Sequence, residues 1–203
     1  KFIGQVIEKG AKVIVVQQDV EAPKGVTVIR FDDTRKALAE MSAAYFGYPA
    51  EELMTIGITG TKGKTTITYM IQSVLEHAGQ KTGLIGTIET VIGDERIPSV
   101  NTTPESYVIQ ESFRKMADAG CKNVVMEVSS QGLMLHRVSG FTFDYGIFTN
   151  LAEDHIGENE HKDMDDYIRC KSLLFQQCRQ GIVNGDDDYV ERIIKGHTCS
   201  LET

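Results

Sequence analysis

Apolar residues along the chain fall into two alternating spacings. Short stretches rich in apolar and β-branched residues at 13–16, 26–31, 54–58, 82–88, 122–128 and 143–151, with a last one at Ile182-Val183, predict strands, that at 122–128 of a buried type. Between them apolar positions recur every three or four residues. Phe2, Val6 and Ile7 predict a helix over 2–9, and Asp32 or Asp33 is placed to cap another over 34–46, with Leu38 and Met41 inward. Ile67, Met70, Ile71, Val74 and Leu75 make a third stripe. Val108, Ile109, Phe113 and Met116 make a fourth, with Thr103 at its N-cap and Pro104 at its first turn. Two more helices are expected over 163–178 and 187–194, and a hairpin over 90–97 around Gly93-Asp94. Strands alternating with helices predict an α/β fold, a mostly parallel sheet with helices on both faces. The first fifty residues are short for a whole domain, so a boundary is expected near Glu51-Glu52, dividing 1–52 from 53–203.

Composition narrows the class. The chain has 203 residues, 41% hydrophobic and 25% charged, which suits a soluble globular protein. A net charge of −8 argues against a general nucleic-acid binder. No apolar run approaches a membrane span. Cys121, Cys170, Cys178 and Cys199 have no zinc-type spacing and read as reduced thiols of a cytoplasmic protein. The chain opens on Lys1 and stops within or just after a probable strand, so it reads as part of a longer protein.

The richest chemistry lies where the 54–58 run breaks into Thr59-Gly60-Thr61-Lys62-Gly63-Lys64-Thr65-Thr66 and then a helix. Strand, glycine loop, Lys-Thr and helix form the plan of a nucleotide phosphate cradle. Glycines let successive backbone N–H groups converge on phosphate oxygens, and the helix N-terminus adds partial positive charge. Lys64 would reach the outer phosphates, and Thr65 would ligate Mg²⁺. The strict pattern puts its first glycine where this chain has Ile58, so the alternative is a glycine-rich turn with a solvated lysine.

In open parallel sheets ligands sit beyond the carboxyl ends of the strands. By that rule Glu127, Asn150, Asp154 and His155 face the crevice of the phosphate loop. Glu127 directly follows an apolar run, and a buried carboxylate needs a partner, which Mg²⁺ held with Thr65 would supply. A salt-bridged or helix-capping glutamate is the alternative. His155 reads equally as a second metal ligand or a surface loop histidine. Lys171, beside Leu173, Leu174 and Phe175, has the spacing of a snorkelling surface lysine.

Taken together these residues resemble the Mur ligases, ATP-dependent amide-bond formers of cell-wall precursor synthesis. The 59–66 block is similar to their phosphate loop. Asn101-Thr102-Thr103-Pro104, Glu127-Val128-Ser129-Ser130, Arg137, Thr149-Asn150-Leu151 with Asp154-His155, and Arg169-Cys170-Lys171-Ser172-Leu173-Leu174-Phe175 follow in the order of the branch that adds the third amino acid. The resemblance implies that ATP converts the carboxylate of UDP-MurNAc-L-Ala-D-Glu to an acyl phosphate, which the amine of meso-diaminopimelate or L-lysine attacks. It implies nucleotide contacts from Gly60, Thr61, Lys62, Gly63, Lys64, Thr65, Thr66 and Asn150. It implies one Mg²⁺ on Thr65 and Glu127, and a second on Glu127, His155 and a carbamylated Lys171. Asn101, Thr102, Thr103, Ser129 and Arg137 match positions that meet the UDP-sugar peptide. Lys64, Glu127, His155 and Lys171 are the implied catalytic set, in a monomer.

The chain departs from the family at Gln131, at Leu135 and across 156–161. The resemblance also implies an amino-acid-binding domain beyond this chain, so the 203 residues alone are not expected to ligate. A folylpolyglutamate synthase shares the ATP chemistry but fits Asn101-Thr102-Thr103-Pro104 poorly. A nucleotide-binding module that never ligates has no use for a carbamate at Lys171.

Overall fold

A computed structural model describes residues 2–154, 156–157 and 160–203. It opens with α1 (Ile3–Glu8), then β1 (Val13–Val16) and β2 (Thr27–Arg30), which pair in parallel as a separate two-stranded sheet. Next comes α2 (Thr34–Tyr45), capped by the Asp33 carboxylate, which accepts from the backbone N–H groups of Arg35 and Lys36. A 3₁₀ turn at Pro49–Glu52 follows, entered through Tyr48 in a left-handed conformation.

The main sheet starts at β3 (Met54–Thr59), followed by α3 (Lys64–His77), β4 (Thr82–Ile85) and the hairpin β5 (Glu89–Ile92) with β6 (Glu95–Pro98). Then come α4 (Ser106–Asp118), β7 (Asn123–Glu127), α5 (Ser130–Met134), β8 (Phe143–Phe148), α6 (Met164–Ser172), β9 (Cys178–Val183), α7 (Val190–Ile193) and β10 (Ser200–Glu202). Strand order is β10-β9-β8-β3-β7-β4-β5-β6, parallel from β10 to β4 and antiparallel in the hairpin. Successive strand side chains point to opposite faces. Val125 of β7 therefore packs with Ile56, Ile58 and the Ile67, Ile71 and Leu75 stripe of α3 on one face. Val124 and Met126 join Ile109, Phe113 and Met116 of α4, with Tyr167 and Leu174, on the other. The expected two-faced parallel sheet is present.

Several expected details are corrected. Leu38 and Met41 are each 43% exposed, and the inward stripe of α2 is Ala37, Ala39, Ser42 and Ala43. Small residues are required there because α2 packs closely on its neighbours. A Cβ at Gly140, whose φ is +92°, would lie 2.7 Å from the Ala39 carbonyl oxygen. Val108 is likewise exposed while Ile109, Phe113 and Met116 are fully buried, and Met70 and Val74 of the expected α3 stripe are exposed too. Thr103 does not cap α4; Glu105 holds that place. The Thr103 hydroxyl instead donates to the Glu127 carbonyl and accepts from Ser129 N–H. The helix expected over 163–178 ends at Ser172 and tightens into a 3₁₀ turn, Leu173–Gln176. It stops because Cys178 must enter the sheet opposite Phe143. The runs at 82–88 and 143–151 stop as strands at Ile85 and Phe148, and the 187–194 helix shrinks to Val190–Ile193.

This packing predicts opposite responses at adjacent positions of α2. Ala39→Leu should cost about 1–3 kcal/mol by overpacking, and Leu38→Ala should stay within about 0.5 kcal/mol. Urea midpoints measure both; a larger loss at Leu38 would contradict the assigned face.

Candidate active site at the strand ends

Register explains how distant segments meet. Ile58 pairs with Glu127 on one side and Ile147 on the other, and Ile85 pairs with Met126. The residues just beyond β3, β7, β8 and β4 therefore lie side by side. They are the phosphate loop, Glu127 itself, Thr149-Asn150 and Gly86-Thr87.

The loop is clamped by the β8 side. Asn150 Oδ1 accepts from Lys62 N–H at 3.0 Å, and Asn150 Nδ2 donates to the Lys62 carbonyl at 2.9 Å. Thr61 N–H donates to the Asn150 carbonyl at 2.9 Å. Gly60 is held at φ +152°, where an added Cβ would fall 2.1 Å from Thr149 Oγ1, so only glycine fits. Gly63, also left-handed, stands at the N-cap of α3 with no side-chain cap, leaving the first N–H groups of a 14-residue helix open to an anion. Lys62, Gly63 and Thr66 are exposed, as a ligand-facing rim requires.

Two lysines converge on one atom. Lys64 Nζ donates to the Gly60 carbonyl at 2.9 Å and to the Thr61 carbonyl at 3.1 Å, while Lys171 Nζ donates to the same Gly60 oxygen at 2.7 Å. Lys171 is only 2% exposed, so the surface position suggested by its spacing is corrected. Helix α6 dips beneath the loop at this point, and an isolated lysine in a helical stripe cannot report that. Burial, aided by the neighbouring Lys64 charge, pulls the Lys171 amine down to about 7, while Asp154 and Cys170 oppose the change. Burial also lowers Lys64, against the opposing charges of Glu127 and Asp154.

Glu127 is 1% exposed. Its carboxylate is held by neutral donors. Thr65 Oγ1 lies 2.9 Å from both oxygens, Thr87 N–H donates to Oε1 at 2.8 Å, and Thr87 Oγ1 donates to Oε2 at 3.0 Å. Carboxylate plus clustered hydroxyls is a set of hard oxygen donors, the kind Mg²⁺ takes. His155 lies outside the described residues.

The segment expected to meet a sugar peptide borders this cluster. Thr102 Oγ1 is 3.0 Å from Thr87 Oγ1. Arg137 donates to the Thr103 carbonyl at 3.0 Å and pairs with Glu105 at 2.6 Å, and its Nε is buried without a hydrogen-bond partner among the described residues. Ser129 Oγ accepts from Gly132 N–H at 3.0 Å, and Asn101 is exposed. Sequence reasoning missed Thr87 and Tyr167, and it quoted Thr149 in a motif without giving it a role. The strand-end rule reaches Thr87 and Thr149, since each follows a strand by one or two residues. Nothing in sequence marks Tyr167, whose hydroxyl lies 3.2 Å from Thr61 Oγ1 and whose ring sits 4.5 Å beneath Lys171 Nζ.

Among the described residues, His161, Asp166 and Cys170 place possible ligand atoms within 4.8 Å of one another. Arg169 already lies 2.6 Å from Asp166 Oδ1 and 3.4 Å from Cys170 Sγ, so a guanidinium already pairs with two of these three groups. No helix among the described residues is long and apolar enough to cross a membrane.

Residues 58–201 match the model of the Mur ligase middle domain. A UDP-N-acetylmuramoyl-L-alanyl-D-glutamate–2,6-diaminopimelate ligase of Clostridium perfringens is 51% identical over 194 residues, covering 96% of this chain and 40% of its own length. The chain thus spans about two fifths of the curated relatives it matches. A solved ligase of the same name superposes with a TM-score of 0.84 at 23% identity, covering 98% of this chain and 41% of that one. A Mycobacterium tuberculosis folylpolyglutamate synthase complexed with ADP gives 0.63 at 16% identity, covering 83% of this chain and 45% of its own, a likeness of fold alone. With most of its length matched by that middle domain, this chain belongs to the Mur ligase family.

Proposed function

We propose that the protein containing this chain is an ATP-dependent ligase joining meso-diaminopimelate to UDP-MurNAc-L-Ala-D-Glu. The observation that carries this reading is the buried Glu127 carboxylate, bracketed by the Thr65 and Thr87 hydroxyls beside a lysine-bearing phosphate loop. Relatives named for that reaction, at 43–51% identity, support the substrate choice. Residues 1–52 then belong to a UDP-substrate domain and 53–203 to the ATP-binding domain, in a cytoplasmic monomer.

Each side chain has a task within that reading. The loop N–H groups and the open end of α3 hold the phosphates, Lys64 neutralises the outermost of them, and Asn150 keeps the loop in shape. Thr65 and Glu127 would hold one Mg²⁺, and Glu127, His155 and a carbamate on Lys171 would hold a second. Mg²⁺ supplies charge neutralisation at the transferring phosphoryl group. Lys171 suits carbamate formation because burial favours its neutral amine. The nitrogen lone pair attacks the carbon of CO₂, one C=O π pair moves to oxygen, and the nitrogen passes a proton to water, leaving an anionic oxygen ligand. Arg137, with a planar fork and one unpaired N–H, suits a carboxylate or phosphate of the sugar peptide. Asn101, Thr102, Thr103 and Ser129 line its approach. A folylpolyglutamate synthase shares the fold but not the close relatives.

The full-length protein should release phosphate from ATP only when UDP-MurNAc-L-Ala-D-Glu and an amino acid are both present. Replacing diaminopimelate by L-lysine should lower kcat/KM by about a hundredfold or more. Phosphate release with folate and glutamate instead would overturn the reading.

Burial makes the Lys171 amine lose its proton more readily in the folded chain than in the unfolded one. Below about pH 7 the amine is charged in both folded and unfolded chains, so the full cost of burying charge is present. Between there and the ordinary lysine range the folded amine is neutral and the unfolded one is not, so stability rises with pH. In carbonate-free buffer, urea midpoints of the wild type should therefore climb relative to Lys171→Met between about pH 7 and 10. Parallel curves would show that Lys171 is not held neutral.

A further inference from the structure

His161 is fully buried and engages both ring nitrogens. Nε2 lies 2.7 Å from Ser130 Oγ, and Nδ1 lies 3.1 Å from Asp166 Oδ2. These partners come from separate site-bearing segments. Ser130 opens α5, three residues after Glu127, and Asp166 sits in the first turn of α6, five residues before Lys171. The imidazole also packs against Tyr167, with ring centroids 5.0 Å apart. Tyr167 is the side chain that touches both the phosphate loop, at Thr61, and Lys171.

We propose that His161 is a positioning residue of this site. It locks the end of β7 to the first turns of α6 and, through the Tyr167 ring, sets where the Lys171 nitrogen meets the phosphate loop. The inference rests on the ligase reading above for its effect on turnover, and on geometry alone for its effect on order.

Imidazole suits the task because it is a rigid ring with one donor and one acceptor facing apart. Asp166 is kept ionised chiefly by its hydrogen bond to Arg169, with His161 adding to the effect. An ionised carboxylate only accepts, so Nδ1 donates to Asp166, and the Ser130 hydroxyl, able to donate or accept, completes the bond at Nε2. Glutamine can replace one of these bonds at a time. Alanine leaves Ser130 and Asp166 without this buried partner and opens a gap behind Tyr167.

The test uses the full-length protein, with kcat, the KM for ATP, and hydrogen exchange in α6 and α3. His161→Ala should lower kcat by roughly ten- to a hundredfold, the usual effect of removing a group that orients a ligand side chain. The KM for ATP should stay within about threefold, since uniform binding is untouched. Exchange should quicken in α6 and not in α3, and His161→Gln should recover part of kcat. Native kcat in His161→Ala, or faster exchange in α3 as well as α6, would overturn the inference. Should His161→Ala fail to fold, Ser130→Ala and Asp166→Asn, which each alter one of its two bonds, decide: lowered kcat with native α3 exchange in either supports it, and native kcat in both overturns it. A wild-type protein that does not ligate removes the ligase reading instead, and the exchange pattern still decides whether His161 orders α6.

Discussion

Burying the Glu127 carboxylate is the constraint from which the rest of the site follows. An ionised carboxyl taken from water costs several kcal/mol unless its oxygens are matched. The chain matches them with a hydroxyl from the first turn of α3 and with an N–H and a hydroxyl from the loop after β4. Those groups meet only because β3, β7 and β4 are neighbours in parallel register, and that register is fixed by apolar residues on both faces. Gly86 belongs to the same arrangement, since a Cβ there would lie 2.6 Å from Glu127 Oε1.

Opposite that carboxylate stand two ammonium groups sharing the Gly60 carbonyl oxygen. Poor solvation favours loss of a proton from either amine, and at the more deeply buried Lys171, which is the one that yields, the neighbouring Lys64 charge adds to it. The site thus pairs a fixed anion with a lysine poised near neutrality. That combination suits a place where phosphate charge must be gathered and then handed on, and it gives little to a simple nucleotide store. The wider scaffold holds the pair in place, with Asn150 clamping the loop from β8 and Tyr167 supporting it from α6.

The sheet, the phosphate loop and Glu127 were legible in sequence because each leaves a periodic or compositional trace. An apolar run ending in glycines, or in one carboxylate, can be read without knowing its neighbours. Leu38 and Met41 misled because helix periodicity finds the most hydrophobic face, whereas α2 is buried along a stripe of small residues set by close approach to Gly140. Thr103 looked like a cap because its bonds to Glu127 and Ser129 span distant segments. Lys171 was invisible to periodicity for the same reason, and only its family resemblance pointed inward. Tyr167 and His161 left no trace at all, because their roles exist only once α6 has docked under the loop.

The central claim is that Glu127 is buried in order to hold a divalent cation against bound phosphates. Its most direct test is the affinity of the chain for ATP with and without Mg²⁺, compared with Glu127→Gln, which keeps shape and removes charge. The account predicts that Mg²⁺ tightens ATP binding by about tenfold or more in the wild type and scarcely at all in the variant. The magnesium-free affinities should remain similar. An undiminished magnesium effect in Glu127→Gln would contradict it.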